Sequence, residues 1–209
     1  MMIPYNLIYN FILTRCINYN IDESHAIKHS MDVLRYSQQI LLSESIKNPF
    51  LLDQAKIIYT SAMLHDMCDK KYMSEDKGLE DLTNFMEYKL NYKLDEIKPI
   101  IDIIGTMSYS TVKKYGYPDL KEYQLAYHIV READLLTAYD VERCMVYGII
   151  GKNMDYYESF KATKDLYNVR MGKHINDKLF TTNFALNEAK KLDKENKERL
   201  NELEKILQI

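Results

Sequence analysis

Apolar residues recur at steps of three and four along most of this chain, a period that predicts a succession of amphipathic helices. The first strong stripe reads Ala26, Ser30, Val33, Ser37, Ile40. With Asp22 or Ser24 as its N-cap, it predicts a helix running to about Leu42, with His25 and His29 one turn apart beside the stripe. After Pro49 a second stripe, Leu52, Ala55, Tyr59, Ala62, ends on a polar residue, Asp66. Two further helices are expected around Leu79 to Leu90 and Leu94 to Met107. The polar stretch from Ser108 to Asp119, with Gly116 and Pro118, reads as a mobile loop. Next, Ala126, Ile129, Val130, Ala133 and Thr137 share one side of a helix, which puts Asp134 one turn beyond Val130 against the buried stripe. From about Asp155 to His174 the period weakens and an irregular stretch is expected. A charged closing helix from about Asn183 to Leu207 docks through Leu186, Ala189, Leu200, Leu203 and Leu207.

Composition narrows this to an all-α, single-domain helical bundle. Its core is expected over about residues 22–150, with 151–209 packed on that core. Only 6 glycines and 4 prolines punctuate 209 residues, and 46% apolar against 28% charged residues lies in the globular range. The 18 tyrosines and 11 methionines fall mostly at helical spacing and read as core filling. A net charge of −3 and a pI near 6.0 give no general reason to bind nucleic acid or an anionic membrane. The three cysteines, Cys16, Cys68 and Cys144, lack Cys-x-x-Cys spacing, so neither a disulfide framework nor a thiolate zinc site is indicated. Asn6, Asn10 and Arg15 interrupt the apolar start, which excludes a secretion signal, and no run of 18 apolar residues suggests a membrane span. A soluble, intracellular (cytoplasmic) protein is expected, with a homodimer through the closing helix left open.

Chemistry enters through polar residues in apolar surroundings. His65 and Asp66 sit at the buried end of the second stripe, and Asp134 interrupts the Ile129–Leu136 pattern. An unpaired buried charge is costly, so each needs a partner. A single divalent cation offsets the desolvation of all of them, since imidazole and carboxylate together suit Mn, Fe, Co, Ni or Zn and tolerate Mg. On spacing alone, His25 and His29 both face this cluster: both could bind, or one could bind while the other meets substrate.

The order histidine, His-Asp doublet, distant aspartate resembles the HD phosphohydrolase superfamily, and most closely its small stand-alone branch. The likeness rests on Ser24-His25-Ala26-Ile27-Lys28-His29-Ser30-Met31-Asp32-Val33, on Ala62-Met63-Leu64-His65-Asp66-Met67-Cys68-Asp69-Lys70-Lys71, on Ile103-Ile104-Gly105-Thr106-Met107-Ser108-Tyr109-Ser110, and on Glu132-Ala133-Asp134-Leu135-Leu136. The resemblance implies a metal site between the central helices, with His29, His65, Asp66 and Asp134 as ligands and open positions for water and substrate. It also implies Asp69 as general base, and Lys71, with His25 beside it, as phosphate contacts. Three departures stand out: Glu132 and Leu135 replace the aspartate and arginine usual around Asp134, and Ala26 replaces an aspartate.

The remaining histidines read more plainly. His128 is expected on the solvated side of its helix, and His174 has no assigned role. Lys113 and Lys114 read as a solvated loop pair. The expected function is metal-dependent hydrolysis of a nucleotide or other small phosphate ester. The alternative is a catalytically inactive metal- or nucleotide-binding module of the same fold. Oxygen chemistry at a two-iron site would need further histidine ligands before Asp134, and only His128 falls in that interval.

Overall fold

Helix α2 (Ile27–Ser45) forms the centre of this computed structural model, which describes residues 2–208. Its apolar face packs most extensively against α7 (Gln124–Thr137) and α3 (Ala55–Leu64), and α5 (Leu94–Thr106) backs α3. Helices α1 (Tyr5–Tyr19) and α4 (Glu75–Tyr88) flank this core. Helices α6 (Tyr109–Tyr115), α8 (Val141–Val146) and α9 (Tyr156–Val169) close one side, and the long α10 (Asn183–Leu207) crosses α7 and α2. Ten α-helices and no strand occur among the described residues, 76% of which are helical, in one compact all-α domain. No helix is long and apolar enough to cross a membrane, among the described residues.

The first and third predicted stripes become core, but in the second only Ala62 is fully buried, Leu52 being exposed and Ala55 and Tyr59 half-buried, with Ile57 and Ile58 filling the core there. Val33, Ile40, Ile58, Ala62, Ile129, Val130 and Ala133 are fully buried where α2, α3 and α7 meet. Side-chain caps fix several helix starts: Asp140 begins α8, Thr182 begins α10, and a reciprocal Asp155–Glu158 capping box begins α9.

Three local expectations are corrected. The helix predicted from Asp22 or Ser24 does not start there. Asp22 caps a short 3-10 turn over Glu23–His25, and the extended backbone at Ala26 (ψ −155°) breaks the chain before α2. His25 and His29 are therefore not two positions on one helix. The stretch expected as a mobile loop contains α6, because Ser108 accepts from the Thr111 N–H and satisfies a free donor of its first turn. The stretch expected to be irregular contains α9, whose narrow face of Phe160, Thr163 and Tyr167 is buried by neighbours distant in sequence. A stripe that narrow is lost among exposed Lys, Asp and Tyr.

One glycine has a positional reason. A Cβ on Gly78 would lie 2.6 Å from Cys68 Cβ and 2.8 Å from its Cα. Glycine lets α4 press against the turn after α3, the turn that carries Asp66 and Asp69.

Candidate metal centre and its cleft

Three core elements converge on one point. His29 lies in the first turn of α2, His65 and Asp66 follow the last residue of α3, and Asp134 lies one turn from the end of α7. The Nε2 atoms of His29 and His65 are 3.0 Å apart. Asp66 Oδ2 is 3.1 Å from His29 Nε2, and Asp66 Oδ1 is 3.4 Å from His65 Nε2. One donor atom from each of His29, His65 and Asp66 falls in a set mutually within 4.8 Å. Asp134 Oδ1 approaches from the cleft side, 3.4 Å from His29 Nε2 and 3.6 Å from His65 Nε2.

The outer faces of the rings settle where their protons lie. His65 Nδ1 is 2.9 Å from the Ala62 carbonyl, which only accepts, so Nδ1 carries the proton. The Thr137 hydroxyl donates to the Asp134 carbonyl at 2.7 Å, so across 3.4 Å it accepts from His29 Nδ1. In both neutral rings the lone pair is then on Nε2, and the two lone pairs face each other beside Asp66 Oδ2. That oxygen is buried with no hydrogen-bond donor. Two lone pairs and an orphaned carboxylate oxygen at contact distance repel unless a positive charge sits among them. Histidines oriented through Nδ1 by hydroxyl or carbonyl partners are the usual outer arrangement of a metal site.

Without a metal, a proton serves the same need. Burial opposes charging His65, but Asp66 and then Asp134 outweigh it and push its pKa up to about 9. Burial likewise opposes ionising Asp66 and Asp134, and the two histidines outweigh it, holding both carboxyls below the usual range.

The centre opens into a cleft of about 450 Å³ lined on its upper wall by His25, Asp69, Lys71 and Tyr147. Asp69 Oδ1 accepts the Lys71 N–H at 2.9 Å, and Lys71 Nζ lies 3.2 Å from Asp69 Oδ2. His25 Nδ1 is 2.7 Å from Ser24 Oγ and 3.2 Å from Tyr72 Oη. Both hydroxyls spend their protons on Asp22, so Nδ1 donates and His25 Nε2 is left to accept from Lys71 Nζ at 3.2 Å. Burial first, then Asp66 in opposition and Lys71 and Arg143 in support, set a lowered His25 pKa and keep the ring neutral. His25 thus holds Lys71 in place.

The cleft also contains residues that sequence patterns did not single out, chiefly Arg143 and Arg170. Each reads in sequence as an ordinary surface residue of a short amphipathic segment. Glu132, the departure from the family pattern beside Asp134, is fully buried and does not line the cleft. It accepts from the backbone N–H and the hydroxyl of both Thr181 and Thr182.

His128, expected in solvent, is half-buried between Tyr117 and Tyr127, with ring centroids 5.1 and 5.3 Å away. The segment after α6 folds back over α7 and covers it, a contact no helical period encodes. Burial and then Arg131 push its pKa down to about 4. His174 is completely buried among Tyr109, Tyr139 and Phe180, and neither ring nitrogen has a partner. Burial, with a smaller contribution from Arg170, pushes it from 6.5 down to about 4.

Because the unfolded chain protonates His174 first, stability is full above pH 6.5 and falls as the pH drops towards 4. The loss from this one group is expected to reach about 3 kcal/mol. Urea unfolding of wild type and His174→Phe across that range checks it; the variant should show a flatter pH profile.

No family model matches the chain, and no curated protein matches it. Its fold is similar to that of a crystal structure of a Lactobacillus plantarum protein, with a TM-score of 0.71 over 97% of this chain and 96% of that one. The two are 17% identical, a level at which the likeness speaks to the fold alone.

Proposed function

We propose that this protein is a metal-dependent phosphohydrolase of the HD type, acting on a nucleotide or other small phosphate ester. The observation that carries the proposal is the convergence of the His29 and His65 Nε2 atoms on the Asp66 carboxylate, whose buried Oδ2 has no hydrogen-bond donor. Asp134 Oδ1 at the cleft side completes a set of two nitrogens and two carboxylates. Such a set suits a divalent cation, which when bound supplies Lewis-acid activation of a phosphoryl oxygen and lowers the pKa of a coordinated water.

The chain's own residues supply the rest. Asp69 lies three residues beyond Asp66 on the same turn, with its carboxylate in the cleft, where it takes the proton of the attacking water. Lys71, fixed by His25 and Asp69, offsets the negative charge that grows on the phosphoryl oxygens. Tyr147 belongs to a single wide π-type turn over Tyr147–Gly151, a backbone feature often found at functional sites, and presents its ring to Lys71.

The test is phosphate release from nucleotides and generic phosphate monoesters with Mn, Mg, Co or Ni. Wild type is expected to turn over at least one class and to lose that activity in a chelator. Asp69→Asn should keep its metal by elemental analysis and lose roughly a hundredfold in kcat. If wild type and variant release equally little phosphate while nucleotides still raise the Tm of wild type, the inactive binding module is the correct reading.

A further inference from the structure

The wall of the cleft also carries two arginines, Arg143 of α8 and Arg170 just after α9, that the proposed hydrolysis does not use. Most cations around them are committed: Lys71 pairs with Asp69, and Arg131 pairs with Glu132. Among the described residues, no carboxylate oxygen lies within 4.0 Å of either Arg143 or Arg170. Both are nonetheless held. Arg143 Nε donates to the Ser24 carbonyl at 2.5 Å and Nη1 reaches Thr137 Oγ1 at 3.4 Å, which places it one residue from the His29 ring. Arg170 lies 4.2 Å over the Tyr109 ring, and its buried Nε has no acceptor. Both guanidiniums line the same cleft, as does Cys144 beside Arg143.

Charge favours an anion there. Four cations, Lys70, Lys71, Arg143 and Arg170, line the cleft against four carboxylates, Asp66, Asp69, Glu75 and Asp134. A divalent cation at the centre tips that balance positive. Immobilised guanidiniums with spare N–H donors and no carboxylate partner suit phosphate oxygens, which they can meet in pairs.

We propose that Arg143 and Arg170 form a second anion site, so that the substrate is a phosphate chain of at least two phosphoryl groups, one at the metal centre and one on this wall. This rests on the hydrolase reading above. The substrate class is then a nucleoside di- or triphosphate or a related phosphate chain in preference to a simple monoester.

Non-hydrolysable probes test it by binding alone. Methylphosphonate, methylenediphosphonate and imidotriphosphate are titrated calorimetrically into the full chain with Mn(II) in excess. In wild type at least one of the two chains should bind roughly tenfold or more tighter than methylphosphonate. Arg170→Gln and Arg143→Gln should each cut that ratio about tenfold, and Arg170→Lys should restore much of it. A ratio near one in wild type, or a wild-type ratio in both glutamine variants, overturns the proposal. Should one variant fail to fold, the other and the wild-type ratio still decide. Turnover is not read, so a protein with the selectivity but no hydrolysis keeps the second anion site and refutes only the enzyme reading.

Discussion

Asp66→Ala is expected to leave the protein without stoichiometric metal and to lower phosphate release by roughly a thousandfold, about 4 kcal/mol of barrier. Asp66 and Asp134 both reach the two rings, but Asp66 comes nearer, with Oδ2 3.1 Å from His29 Nε2 and Oδ1 3.4 Å from His65 Nε2 against 3.4 and 3.6 Å for Asp134 Oδ1. Asp134 cannot replace it. Its side chain approaches from the cleft and is 31% exposed, against 14% for Asp66, so water competes for its charge. The loss should also appear without turnover. A saturating metal at a hundred times its Kd stabilises wild type by about 2.7 kcal/mol, and that gain should vanish in the variant. Metal content by elemental analysis and Tm with and without Mn(II) are the measurements. A variant that keeps wild-type metal and activity would remove Asp66 from the centre.

The largest loss of stability is expected from Glu132→Ala, about 3 to 5 kcal/mol. Glu132 is wholly buried and accepts four hydrogen bonds from Thr181 and Thr182, the residues that lead into α10. Thr182 is also the N-cap of that helix. Arg131, only 3% exposed, lies 3.3 Å from Glu132 Oε1 and would be left as an uncompensated buried charge. Glu132→Gln keeps an acceptor oxygen but not the charge and should fall between wild type and alanine. Urea unfolding ranks the three. Because Glu132 does not line the cleft, metal stoichiometry of the folded variants should follow wild type, whereas loss of metal at full folding would place Glu132 in the site.

Much of this fold was legible in the sequence because a helix leaves a local record. Steps of three and four marked α2, α3, α4, α5, α7 and α10, whose broad apolar faces stand out over three or more turns. The short α6 and narrow-faced α9 left no such record. Their stability comes from caps and from contacts distant in sequence. The candidate centre was legible for a related reason: His65, Asp66 and Asp134 are polar residues in apolar stripes, and position within a stripe forecasts burial.

Spacing alone could not choose between His25 and His29, and in the sequence only the family resemblance preferred His29. Both fitted one helical face, until the extended backbone at Ala26 gave His29 to the ring pair and His25 to Lys71. The same holds for Glu132, which spacing placed beside Asp134 and packing turned towards α10. Arg143, Arg170 and His174 carried no signal at all, since an arginine on a short amphipathic helix looks alike whether it meets water or a cleft.

What the sequence determined by itself, then, is an all-helical chain with ligand-type residues set into apolar stripes at the ends of α3 and α7, because periodicity is set within a few residues. Only the tertiary structure decided which side chains share a cavity, which proton sits on which imidazole nitrogen, and which cations remain unpaired. Those depend on how separate helices cross, and a crossing is set by packing between residues far apart in the chain.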